Sequence, residues 1–107
     1  VTFKEYEIAC MKGIIYPGRG ETMGVIYATT GLAGEAGEVA NKITKFIRDG
    51  GQLDTDSLKK ELGDVLWYIA AMARELEIDL EDIAITNVDK IQSRLARGKI
   101  GGSGDDR

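Results

Sequence analysis

A chain of 107 residues has the length of one domain, and its 43% hydrophobic and 30% charged content is that of an ordinary globular protein. The net charge of −4 argues against a general nucleic-acid binder, which carries a basic face, yet leaves room for a phosphate ligand whose charge a metal offsets. No apolar run is long enough to span a membrane, histidine is absent, and Cys10 has no second cysteine to pair with, so a reducing, cytoplasmic setting is expected.

Taken in order, Thr2 and Glu5 have the spacing of a capping box, which predicts a first helix to about Lys12 with Phe3, Tyr6 and Cys10 on its inner face. A start at valine suggests a trimmed N-terminus. The only proline, Pro17, lies among glycines between Gly13 and Gly20 and marks a loop. A long second helix is predicted from about Thr22 to Arg48, with a break near Gly31 as the alternative. Gly24, Gly31, Gly34 and Gly37 each cost about 1 kcal/mol in a helix interior. With the neighbouring alanines they make a small-residue surface on which another helix or a ligand could approach closely. Asp49-Gly50-Gly51 ends that helix.

A third helix is predicted over about Ser57–Glu77, capped by Asp54, Thr55 or Asp56, and a fourth from a cap at Asp79 to about Arg97. Beyond Gly98 the glycine-rich tail is not helical. Nothing alternates long enough to be a strand. The expected fold is all-α, a compact bundle of about four main helices in a single domain over 1–107, with 98–107 as the tail.

Two acid pairs stand out, Glu35 with Glu38 and Glu61 with Asp64. Residues three apart share a helix face about 5 Å apart along the axis. The third helix is apolar almost all round, which predicts a buried helix and an acid pair facing an interior cleft. If the two helices pack together, four carboxylates share one site. Charges about 5 Å apart repel by roughly 3 kcal/mol at an effective dielectric of ~20, so cations or raised pKa values must relieve them. Carboxylate oxygens are the ligand set of hard cations, Mg²⁺ or Mn²⁺. Two unrelated solvated acid pairs would give the same spacing.

Other residues bear on such a site. Tyr68 sits one turn beyond Asp64 and could stack on a base or fill the core. Lys42, four residues past Glu38, could pair with it or offset the acid cluster, and Lys45 could reach a phosphate. On the fourth helix, Asn87 lies on the apolar stripe of Leu80, Ile83, Ala84, Ile91 and Leu95, with Lys90 and Arg94 beside it. A core-facing amide needs a partner. The glycines of the tail, with Arg107, would let backbone amides approach an anion.

The blocks Gly31-Leu32-Ala33-Gly34-Glu35-Ala36-Gly37-Glu38-Val39, Glu61-Leu62-Gly63-Asp64-Val65-Leu66-Trp67-Tyr68 and Asn87-x-x-Lys90-x-x-x-Arg94 together resemble the all-α, MazG-like nucleoside triphosphate pyrophosphohydrolases. The resemblance covers most of the chain, most firmly Gly31 to Arg94. It implies magnesium-dependent hydrolysis of a ribo- or deoxynucleoside triphosphate between the α and β phosphates, giving the monophosphate and pyrophosphate. It implies that Glu35, Glu38, Glu61 and Asp64 hold Mg²⁺ and act in catalysis, with Lys90 and Arg94 on the phosphates. Asn87 and Tyr68 would then contact sugar or base. It also implies homodimers or homotetramers with the cleft completed near a subunit interface, and no membrane or nucleic-acid partner. The same residues would suit a non-catalytic helical module that binds a cation or a basic partner. They would suit equally a metal-dependent hydrolase of another phosphoanhydride.

Overall fold

The computed structural model describes residues 1–107 and contains four α-helices and no strand: α1 Phe3–Met11, α2 Thr22–Asp49, α3 Thr55–Glu75 and α4 Leu80–Ala96. The capping box forms as expected, Glu5 N–H donating to the Thr2 hydroxyl at 3.1 Å and Thr2 N–H to the Glu5 carboxylate at 3.4 Å. At the start of α3 the Asp54 carboxylate accepts from Ser57 N–H at 3.0 Å. α2 runs unbroken through Gly31 and ends at Gly50, whose φ of 73° is a conformation glycine takes without steric cost.

The organising unit is the antiparallel hairpin of α2 and α3. Gly24 meets Glu75, Gly31 meets Tyr68, and the Glu35 carboxyl lies beside that of Asp64. Steps of seven and then four residues along α2 match the same steps back along α3, the period at which one helix face repeats. Glycine is required at two of these positions. A methyl group on Gly31 would collide with the Tyr68 ring, and one on Gly24 would lie 2.5 Å from the Gly18 carbonyl and 2.7 Å from the Glu75 carboxylate. Nothing lies within reach of a methyl group on Gly34 or Gly37, so that end of the small-residue surface is free.

Around the open end of the hairpin, where α2 begins and α3 ends, the Gly13–Gly20 loop is clipped down. Glu75 accepts from the Tyr16 hydroxyl and from Gly20 N–H (3.0 Å to Oε2), while Arg74 donates to the Met11 carbonyl at 2.6 Å. Met11, Ala28, Ala70, Ala71 and Leu80 form the small core there. The start of α4 is capped by α1: Leu80 N–H donates to the Glu7 carboxylate, whereas Asp79, the expected cap, makes no capping bond and pairs with Lys4 at 3.8 Å.

Two expectations fail within one chain. α3 is not buried all round: Leu62 is 54% exposed and Asp64 is exposed, and only Ala70, Ala71 and Ala73 are fully covered. The stripe on α4 is not core either. Leu80 is buried, but Ile83, Ile91 and Leu95 are exposed, and so is Asn87. The cause is topological. α4 rests on α1 and the end of α3 and does not touch α2, and the Cα radius of gyration is 16.6 Å where about 13 Å is usual for this length. No helix is long and apolar enough to cross a membrane.

Candidate active site

Halfway along the hairpin, one turn past the Gly31–Tyr68 notch, Glu35 of α2 and Glu61 and Asp64 of α3 bring carboxylate oxygens within 4.8 Å of one another. Desolvation first, and then the charges of Asp64, Glu61 and Glu38, hold the Glu35 carboxyl above the usual carboxylate range. Glu38 is thus close enough to be felt, but it is exposed and lies outside the group of three. Lys42 resolves its two options in favour of the cluster, reaching Glu61 at 3.7 Å. A single half-buried cation leaves the group with an excess of negative charge. All-oxygen donors from three carboxylates, crowded enough to repel, fit a hard divalent cation of the Mg²⁺ type.

An aromatic wall stands next to the acids. Tyr68 and Trp67 meet edge to face with centroids 5.0 Å apart, and Tyr16 stacks on Tyr27 at 5.4 Å and 7°. Tyr27 approaches Tyr68 at 6.4 Å. Burial first, and then the neighbouring Tyr27 phenol, raise the Tyr68 phenol above its ordinary value. Tyr68 is therefore a packed residue, while Tyr27, 39% exposed, offers the open ring face. Tyr16 and Tyr27 were not legible as site residues, although Tyr27 stands four and eight residues before Gly31 and Glu35, on their face of α2.

The expected cations are elsewhere. Lys45 is ten residues past Glu35, about 15 Å along the axis, and lines a cleft of about 290 Å³ at the hairpin turn with Lys42, Asp49, Gln52 and Ser57. Asn87 and Lys90 line another surface cleft, on α4 with Ile78, Asp82 and Thr86. Asp64 lies about 16 Å of helix before the end of α3, and Lys90 about 15 Å into α4. Had α4 folded back along α3 they would stand abreast. Because it does not, one chain brings three acids together and leaves Asn87, Lys90 and Arg94 apart from them.

An all-helical chain with three acids facing across an antiparallel hairpin offers an all-oxygen donor set suited to a hard cation. The MazG nucleotide pyrophosphohydrolase domain model matches residues 27–97, which span the acids, Tyr27, Trp67 and Tyr68 of the aromatic wall, and Asn87, Lys90 and Arg94. The chain belongs to that family. It is also 47% identical over 109 residues to the gene 37 protein of Mycobacterium phage L5, covering 95% of this chain and 96% of the phage protein. No solved structure matches it.

Proposed function

We propose that the protein is a magnesium-dependent nucleoside triphosphate pyrophosphohydrolase, cleaving ribo- or deoxynucleoside triphosphates between the α and β phosphates. The observation that carries this is the convergence of Glu35, Glu61 and Asp64 from two helices in a chain of this family. Those three carboxylates would hold the ion. Bound there, Mg²⁺ supplies positive charge for the phosphate oxygens and lowers the pKa of a coordinated water.

The chain's own residues do the rest. Glu38, beside the group and exposed, takes the proton from the attacking water as its oxygen bonds to the α phosphorus. The bond to the bridging oxygen breaks, and pyrophosphate leaves with the electron pair. Tyr27, stacked on one side by Tyr16, offers its other ring face to the base. Lys90 and Arg94 steady the phosphates, and Asn87 contacts the sugar or base. Since α4 does not reach the acids of its own chain, these groups come from a second copy, as a homodimer or homotetramer. The exposed Ile83, Ile85, Val88, Ile91 and Leu95 on α4 support that self-association.

The test is product analysis over a panel of ribo- and deoxynucleoside triphosphates, with Mg²⁺ and with EDTA. Monophosphate plus pyrophosphate, lost in EDTA, is the expected result and ranks the bases. Orthophosphate would mean that another anhydride bond is cut. No turnover of any nucleotide would make the acid cluster a binding site without chemistry.

A further inference from the structure

The tail is folded, and it is folded onto the cations. Arg107 closes residues 99–107 into a ring, its guanidinium donating to the carbonyls of Lys99 (3.2 Å), Ile100 (2.8 Å), Gly101 (3.0 Å) and Gly104 (2.6 Å). Arg97 ties the ring to the end of α4 by donating to the main-chain oxygen of Arg107 at 2.7 Å. Gly102 and Gly104 make the turns, with φ of 94° and 88°, where a side chain would be strained.

This ring sets one carboxylate on two cations. Asp105 lies 3.2 Å from Lys90 Nζ and 3.6 Å from Arg94 Nη2. Arg94 is 91% buried at its side chain, and its Nη2 also donates to the carbonyls of Gly104 at 3.1 Å and Asp105 at 2.7 Å. Its Nε is buried with no acceptor at all. A buried guanidinium with an unused donor is a cation that the tail satisfies only in part. Conversely, the Asp105 side chain is 85% exposed and takes no part in the hydrogen bonds that hold the ring. It can leave at little cost, since an exposed ion pair contributes at most about 1 kcal/mol.

We propose that Asp105 is a resident, displaceable occupant of a polyphosphate-binding site formed by Lys90 and Arg94, so that the tail competes with the phosphates of the incoming nucleotide. This rests on the assignment of Lys90 and Arg94 to phosphate binding. A phosphate group brings more charge and more acceptor oxygens than one carboxylate, so it pairs with Lys90 Nζ and with the Arg94 Nη2 that Asp105 vacates. The ring stays closed on Arg107 while the carboxylate swings out.

The test is calorimetric binding of inorganic tripolyphosphate to the full chain in EDTA, where no turnover occurs. D105N is expected to bind it about threefold to fivefold more tightly than the unaltered chain, the ratio set by one exposed ion pair. D106N changes the net charge equally, but Asp106 has no partner in the structure, so it should leave the affinity unchanged. K90Q should weaken binding. Equal or weaker binding by D105N, an equal gain in D106N, or no binding by either D105N or the unaltered chain would each overturn the proposal. Nucleotide turnover with Mg²⁺ is scored separately. Tight tripolyphosphate binding by D105N without turnover leaves the anion site standing and removes the hydrolase, whereas turnover without the D105N gain removes only the competing tail.

Discussion

The α2–α3 hairpin and the α4–tail region obey different rules. The hairpin is in register along its length, and glycine notches let an aromatic ring and two rows of carboxyls face each other at fixed heights. α4 has an apolar stripe just as regular, yet it lies largely open, and the most deeply buried charge in the molecule, Arg94, is held by a folded tail and not by another helix. The acid half of the site is therefore prearranged by one chain. The basic half of the proposed site, Lys90 and Arg94, is built on α4 but not brought to the acids of the same chain.

That contrast can be broken most severely at the acids. E61Q or D64N should reduce nucleotide turnover by about 100-fold or more, because several kcal/mol of charge stabilisation depends on the ion they would hold. Circular dichroism should show the helices intact, since taking one carboxylate from a repelling group costs the fold little. Mg²⁺ should raise the melting temperature of the unaltered chain and not that of E61Q. A variant that keeps full activity would remove the cluster from the reaction.

The glycine notches come next. G31A and G24A should each lower stability by about 1–3 kcal/mol in denaturant unfolding, the usual range for forcing a methyl group into a packed contact. Near-neutral values would show that the hairpin is looser than its register implies.

Tyr16 gives a smaller, pH-dependent effect. Y16F should cost about 1–2 kcal/mol near neutral pH, because the hydroxyl bond to the Glu75 carboxylate is lost while Gly20 keeps its own. Burial, the bond to Glu75 and its charge push the Tyr16 phenol up to about 12 from 10.0. The folded state therefore holds this proton more tightly than the unfolded one. The contribution is complete below pH 10 and fades as pH rises through about 12, and Y16F should lack that fading. Absorbance titration of the phenols against unfolding curves at both pH extremes checks it.

The smallest effect sharpens the contrast. In open space on a helix, G34A should stabilise an isolated chain by about 0.5–1 kcal/mol. If that face is covered by a second copy, the same change should instead weaken self-association in sedimentation.

Most of the fold was legible because it is local. Capping signals at Thr2 and Asp54 and the glycines after Asp49 placed the helix ends to within about two residues. Spacing alone put Glu35 with Glu38 and Glu61 with Asp64 on one face of each helix, and left their meeting to how the two helices pack. What was not legible depends on how the helices meet. Apolar periodicity records that a face is to be buried, not by what, so α3 and α4 read as core although much of each is open in one chain. The Glu7 cap on α4, the tyrosine pair and the Asp105 contact join residues 73, 11 and 15 or fewer positions apart, and in each case the chain between them leaves the helix. The glycine-rich tail looked like a loose end, because the arginine that orders it acts through main-chain carbonyls.

Whether the acids of one copy work with the cations of another is decided by subunit complementation. E61Q, with the basic residues intact, and a K90Q/R94Q variant, with the acids intact, are each purified inactive, mixed under conditions that let subunits exchange, and assayed with Mg²⁺ and nucleotide. If the two halves of the site meet only between copies, random pairing as dimers restores about a quarter of the unaltered activity. If no activity returns although mixed oligomers are shown to form, the acids and the cations serve the same chain, and the account of a site split between two copies is wrong.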